Sequence, residues 1–88
     1  MGLDIVEIFM RAEEEFGIDI PNDQAAAADT VGKLYNLVLE KLQSRNPAAP
    51  VDPDAVWRKL RALIVDQLQV DEEDVTMHAR WNEDLGAD

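Results

Sequence analysis

Apolar positions recur at intervals of three and four residues in three long segments, a spacing typical of amphipathic helices. In residues 3–16 the apolar positions of this pattern are Leu3, Val6, Phe9, Met10 and Phe16. In the other two segments the side chains predicted to face inward are Val31, Leu34, Tyr35, Leu37, Val38 and Leu42, and then Val56, Trp57, Leu60, Leu63, Ile64 and Leu68. No segment has the two-residue alternation of a strand, so the pattern predicts an all-α fold with three long helices.

Helix start and stop signals divide these segments and add one short helix. Gly17 can end the first helix, because glycine adopts the left-handed conformation at little cost. The residues that favour N-caps are Asn22 or Asp23 for a short helix through residue 28, Asp29 or Thr30 for the next helix, and Asp54 for the last one.

The remaining segments are predicted to connect the helices or to form loops. Residues 44–53 contain three prolines and are predicted to form a linker. Residues 69–88 are predicted to be mostly loop, with Val70, Val75 and Trp81 as anchors on the core and a possible turn at 71–74. Trp81 could either pack over the end of the bundle or stay partly exposed. Residues 1–88 together are predicted to form a single domain.

The charge of −11, from 19 acidic and 8 basic residues, limits the partners of this chain. Nucleic acid is excluded as a partner, because its phosphate backbone repels such a surface. A basic protein surface is a natural partner, although acidity can also serve solubility alone. No apolar run approaches the length of a membrane span, and no signal peptide is visible, so we expect no membrane partner and a cytoplasmic protein.

Few residues of this chain are of the types used in catalysis or metal binding. The chain has no cysteine and one histidine, His78, in a polar loop, so neither a zinc site nor a nucleophilic triad can be assembled. The acidic runs at 13–15 and 71–74 lack the spacing of an EF-hand. The sequence therefore predicts no catalytic residues, no metal site and no enzyme.

The two ends of the chain read as one interrupted motif. The tail EDLGAD, followed by the head GLDIVEIFMRAEEEFGIDIP, resembles the central stretch of acyl carrier proteins. The resemblance implies an acyl-carrier-like four-helix bundle in permuted order. Residues 1–43 would be the family's second to fourth helices, 44–53 a linker, and 54–88 the first helix and the loop after it. A ten-residue linker spans at most about 33 Å, which is enough to close the circle.

The resemblance also draws attention to a missing serine. The family attaches its 4′-phosphopantetheine arm to a serine at the place where this chain has Gly2, flanked by Asp88 and Leu3. The only serine is Ser44, whose neighbours do not resemble the attachment motif. The sequence therefore predicts no covalently bound cofactor.

By the same resemblance the first helix is the partner-recognition helix. Its predicted partner-binding residues are Leu3, Asp4, Val6, Glu7, Met10, Glu13 and Glu14, with the acids also explicable as a solvated face. The expected function is a non-catalytic interaction module that docks to a basic protein surface, with an enzyme of fatty-acid or polyketide metabolism as one candidate. The alternatives are a genuine carrier modified at another site and a structural, domain-swapped dimer. A monomer is expected.

Overall fold

Four α-helices follow one another in the computed structural model, which describes residues 3–87. They are α1 (Leu3–Phe16), α2 (Asn22–Ala27), α3 (Val31–Arg45) and α4 (Pro53–Leu68). One turn of 3-10 helix, Glu72–Asp74, lies in the long segment after α4. The described residues hold no β-strand, only an isolated bridge between Thr30 and Arg80. The prediction of an all-α bundle with three long helices and one short one is confirmed.

Two of the predicted helix ends are confirmed. Gly17 follows α1 with a φ of 63°, the left-handed conformation expected there. The Thr30 side chain caps α3, because its Oγ1 accepts a hydrogen bond from the backbone N–H of Lys33 at 3.2 Å. Helix α3 runs to Arg45, so the linker begins two residues later than expected.

The predicted caps of α2 and α4 are wrong. At α4 the capping residue is Asp52, whose Oδ1 accepts from the backbone N–H of Asp54 at 3.1 Å. Pro53 causes the shift, since its fixed φ favours the first helical position, which places the cap at Asp52, two residues before Asp54. At α2 both Asn22 and Asp23 lie inside the helix. Pro21 stands at the N-cap position without a side-chain cap, and its carbonyl accepts from Ala25 N–H at 2.9 Å.

Residues before and after the linker both contribute side chains to the core. The largest fully buried side chains are Ile8, Leu34, Leu60, Ile64, Val31 and Val38. Helix α4 packs against both α1 and α3. The inward positions predicted in α3 and α4 are therefore confirmed at their centres, while Tyr35, Leu37, Leu42, Trp57 and Leu68 are half-buried at the rim. Each fully buried aliphatic side chain contributes about 1.5–3 kcal/mol, so the two parts of the chain stabilise each other.

The segment after α4 also completes the N-terminus of α3. The first-turn N–H groups of a helix have no partner within it. Here Val31 N–H donates to the Ala79 carbonyl at 3.0 Å, and Gly32 N–H donates to the Met77 carbonyl at 2.9 Å. A Cβ on Gly32 would lie 2.7 Å from that Met77 oxygen, so the contact requires glycine.

Trp81 anchors the end of the same segment on the core. Its indole ring is 4% exposed and meets the Phe9 ring edge to face, with centroids 6.1 Å apart. Its Nε1–H donates to the Ala28 carbonyl at 2.9 Å. Trp81 thus packs over the bundle end, and the expectation that it could stay partly exposed is wrong. Val75 is buried and Val70 is half-buried, which agrees with their predicted role as anchors on the core.

Candidate functional site

Helix α1 presents two apolar faces. The face toward the core consists of Ile5, Ile8, Phe9 and Ala12, all buried. On the other side Leu3 is 80% exposed, Val6 37% and Met10 53%. These three residues, which the sequence analysis names as partner contacts, are exposed because neighbouring helices cover only one side of α1. Leu3, Val6 and Met10, which we call the outer stripe, instead form an exposed apolar strip at helical spacing.

Acidic side chains surround the outer stripe. Glu7 and Glu14 are exposed, and Asp4 and Glu13 are half-buried. Two of these acids have internal hydrogen bonds. Glu7 Oε2 accepts from Gln67 Nε2 at 2.6 Å, and Glu13 Oε2 accepts from the backbone N–H of Ile20 at 2.9 Å. Asp4 and Glu14 make no side-chain hydrogen bond or ion pair with residues 3–87. The structure thus places all seven predicted partner-binding residues on one helix.

Among residues 3–87 no basic side chain forms an ion pair with the acids around the outer stripe. Arg11, the one basic residue of α1, points to α4 and pairs with Asp66 at 2.9 Å. Arg45 donates to the Phe16 and Gly17 carbonyls at the end of α1, at 3.1 and 2.6 Å. Arg61 pairs with Glu72 at 2.7 Å. The acids around the outer stripe therefore keep an outward negative potential, which attracts cations.

A groove of about 310 Å³ continues the outer stripe toward α2. Phe9, Ile20 and Ala25, all buried, form its floor, and Val6 and Met10 stand at its wall. Glu13 and Asn22 supply the polar groups of its lining. The hydrogen bond from Ile20 to Glu13 holds the α1–α2 connection against α1 and so fixes this end of the groove.

The position predicted to lack the attachment serine lies outside the described residues. Gly2 and Asp88 are not among residues 3–87, and only Leu3 of that trio is placed, at the start of α1. Nearby in sequence, Leu85 and Ala87 are buried, and the backbone N–H of Ala87 donates to the Trp81 carbonyl at 2.8 Å. Ile5 and Trp81 line a common depression, so the start of α1 lies beside the segment that leads to residue 87.

Two other expectations concern metal ions and membranes. Among residues 3–87 no three or more acidic or histidine side chains gather at a position that could hold a metal ion. His78 is exposed in its loop. Within the same residues no helix has both the length and the apolar character needed to cross a bilayer.

The carboxyl group of Asp29 has a shifted pKa. A hydrogen bond from the Lys33 side chain holds the pKa of Asp29 below its ordinary value of 3.8. The Lys33 Nζ lies 2.7 Å from Asp29 Oδ1, and both side chains are exposed. This pair sits at the start of α3, away from the outer stripe, and belongs to the helix end.

Sequence reasoning missed the groove and the internal role of Glu13. Periodicity along α1 identifies Val6, Phe9, Met10 and Glu13 as neighbours on one side, but Ile20 and Ala25 reach them only through the turn at Gly17. The sequence does predict a short extended connection at Ile18, Ile20 and Pro21, whose apolar side chains can fill the core. Of the two isoleucines, Ile20 is buried and Ile18 half-buried.

Comparison of the sequence with known proteins finds similarity to acyl carrier proteins. Over 40 residues the chain is 54% identical to an acyl carrier protein of Picosynechococcus sp., which amounts to 46% of this chain and 49% of that protein. Over 37 residues it is 60% identical to an acyl carrier protein of Sulfurovum sp., or 42% and 49% of the two chains. No protein-family model and no solved structure matches. The chain thus spans about half the length of the curated relatives it matches, and over that half it is similar to acyl carrier proteins.

Proposed function

We propose that this chain is an acyl-carrier-like, non-catalytic domain that docks through α1 to a basic protein surface. The observation that carries the proposal is the outer stripe, three exposed apolar side chains among acids that form no ion pair within residues 3–87. Apolar contact supplies affinity and opposite charge speeds the encounter, so a partner with an apolar patch between basic residues fits best.

The similarity to acyl carrier proteins supports the type of domain, and its extent supports the permuted order. Two blocks in exchanged order leave a linear comparison with about half of each chain. The matches cover 46% and 42% of this chain and 49% of each relative. The permutation, and the assignment of residues 1–43 and 54–88 to parts of the family's bundle, are part of the proposal.

The proposal includes the absence of a covalent arm. Gly2 has no hydroxyl group to accept phosphopantetheine, and Ser44 lies in the last turn of α3. Intact-mass measurement after co-expression with a phosphopantetheinyl transferase tests this part. We expect the mass of the unmodified chain. A mass increment equal to the arm, mapped to any residue, would support the alternative of a genuine carrier.

A self-associated form fits the surface less well. Two outer stripes brought together would place Asp4, Glu7 and Glu14 of both copies side by side, and each copy carries a charge of −11. Like charges at an interface cost several kcal/mol. A partner of opposite charge avoids this cost. An enzyme of fatty-acid or polyketide metabolism remains a candidate partner, and the cytoplasm remains the expected location.

Charge reversal tests the docking surface. A photo-crosslinker at Met10 would capture the partner in cells, and association of the purified pair would then be followed at low salt. We expect Glu7→Lys with Glu14→Lys to slow association by about tenfold or more, because encounter rates depend on complementary fields. Added salt should slow the unaltered protein toward the variant's rate.

The matched control for this test lies on the loop after α4. Asp71→Lys with Glu73→Lys changes the net charge by the same amount, and both residues are exposed and without ion pairs to residues 3–87. The control should slow association much less. Equal slowing by both pairs would mean that net charge alone attracts the partner, and the proposal of a specific α1 surface would fail.

A further inference from the structure

The outer face of α4 carries a groove that no residue of the outer stripe lines. Arg58, Arg61, Ala62 and Val65 recur at intervals of three and four residues, so they lie along one side of the helix. Together with Val70 and the turn after α4 they line a depression of about 540 Å³, which we call the α4 groove. Its volume falls within the range of about 300–1,000 Å³ that is typical of small-molecule sites.

Arg61 is held in place at one end of the α4 groove. Its Nη2 pairs with Glu72 Oε1 at 2.7 Å, and its guanidinium carbon lies 5.9 Å from the centroid of the Trp57 ring. The side chain is 30% exposed, and its other N–H groups donate to no acceptor within residues 3–87. A guanidinium carries its N–H donors in a fixed fork, so an oriented Arg61 can bind an anion with little further loss of freedom.

Arg58 supplies a positive charge that nothing nearby balances. It lies one turn before Arg61, is exposed, and forms no ion pair with residues 3–87. The two carboxylates that line the groove are both engaged, Asp66 with Arg11 at 2.9 Å and Glu72 with Arg61. Three arginines and two acids leave one positive charge, so an occupant with a single negative charge matches the groove.

The rest of the α4 groove is largely apolar. Val65 and Val70 are half-buried, and Ala62 is exposed on the turn between Arg61 and Val65. Arg61 and Val65 are four residues apart, or about 6 Å along the helix axis, a length that accommodates an apolar body of about four or five carbon atoms. The groove therefore suits a compact apolar group better than a long chain.

We propose that the α4 groove binds a small monocarboxylic acid with a compact apolar body, with the carboxylate at Arg58 and Arg61. The body lies over Ala62, Val65 and Val70. A carboxylate suits this end of the groove better than a phosphate, because its two oxygens match the planar fork of a guanidinium and its single charge equals the one left unbalanced. The inference goes beyond docking through α1 and does not depend on it.

The experiment titrates isocaproate into the full chain while amide and methyl NMR signals are followed, with isocaproamide as the neutral analogue of the same shape. Salt at about 0.15 M shortens the Debye length to about 8 Å and so screens the repulsion from the other acids of the chain. We expect isocaproate to shift the signals of Ala62, Val65 and Val70 in a saturable way. Isocaproamide should bind about fivefold to tenfold more weakly, because it lacks the charge-assisted hydrogen bonds.

Two matched variants locate the effect. Arg58→Gln removes one guanidinium from the α4 groove and should weaken isocaproate binding by about fivefold. Lys59→Gln removes the same charge from the next residue, which is also exposed but lines a different depression, beside Asp52 and Val56. This variant should leave the titration almost unchanged. Circular dichroism would verify that both variants keep the fold.

Four outcomes would overturn the inference. Isocaproate that causes no saturable shift would show that the groove binds no such acid. Equal binding of isocaproate and isocaproamide would show a groove that takes any apolar molecule. Equal losses in the two variants would show loose attraction to positive charge, and equally strong shifts with inorganic phosphate would show a site for any oxyanion. Docking through α1 is tested separately, by the reversal of Glu7 and Glu14.

Discussion

The two faces of α1 have similar apolar side chains but opposite environments. Ile5, Ile8, Phe9 and Ala12 are covered by α4 and the segment that ends at Trp81, whereas Leu3, Val6 and Met10 face solvent. The covered face holds the bundle together, and the outer stripe contributes little to it. The proposed docking surface thus lies where α1 has more apolar residues than the neighbouring helices cover.

The largest expected effect comes from truncating the covered face. Ile8 is fully buried, so Ile8→Ala should lower the free energy of unfolding by about 2–5 kcal/mol through lost burial and a cavity. Urea denaturation followed by circular dichroism measures this change. The matched variant on the outer stripe is Met10→Ala, which should change stability by no more than about 0.5 kcal/mol. Similar losses from both variants would contradict the division of α1 into two faces.

A smaller effect is expected at Trp81, which closes the covered face beside Phe9. Trp81→Phe keeps an aromatic ring but leaves the buried Ala28 carbonyl without its donor, which should cost about 1–3 kcal/mol. The control is Trp57→Phe. Trp57 is half-buried, packs edge to face on Tyr35, and its indole N–H donates to no atom of residues 3–87. Thermal unfolding should therefore separate the two variants, and equal losses would mean that ring size, not the hydrogen bond, matters.

The smallest expected effect concerns the exposed pair Asp29–Lys33, away from both faces of α1. The folded-state pKa of Asp29 is lowered, so its ionised form stabilises the fold above the unfolded pKa, and that contribution disappears as pH falls through the folded pKa. Asp29→Asn should therefore be slightly less stable than the unaltered chain near neutral pH. The difference should vanish in strong acid. Urea midpoints at several pH values measure it, and a difference that persists in acid would assign it to the helix cap.

The sequence predicts the helices well because their signals are local. Helix α1 begins and ends where expected, since Gly17 supplies an unambiguous stop. The cap of α4 was misplaced because Asp52 and Asp54 are both good caps, and only the place of Pro53 in the first turn decides between them. The exposure of Leu3, Val6 and Met10 could not be read from periodicity, because it depends on where α4 packs.

The candidate site was predictable in its residues more than in its shape. The acids and apolar residues of α1 were identified by resemblance, and the structure places them on one helix. Glu13 was expected to meet a partner directly, yet its carboxylate also binds the backbone of Ile20. That contact depends on how the chain turns between α1 and α2, which side-chain spacing within α1 does not encode. Whether these residues bind a partner stays a prediction.

The residues before and after the linker complete each other's structure, and this has a consequence for how the protein could be used. The carbonyls of Met77 and Ala79 cap α3, and Trp81 binds the Ala28 carbonyl, while the linker at residues 46–52 is mostly exposed. A cut in this linker would convert folding into a bimolecular reaction between two short peptides. Joined by the linker, the peptides meet at a millimolar effective concentration; separated, they would assemble only when brought together. The bundle is thus a ready-made split reporter, in which recovered helicity would register the proximity of whatever each peptide is fused to.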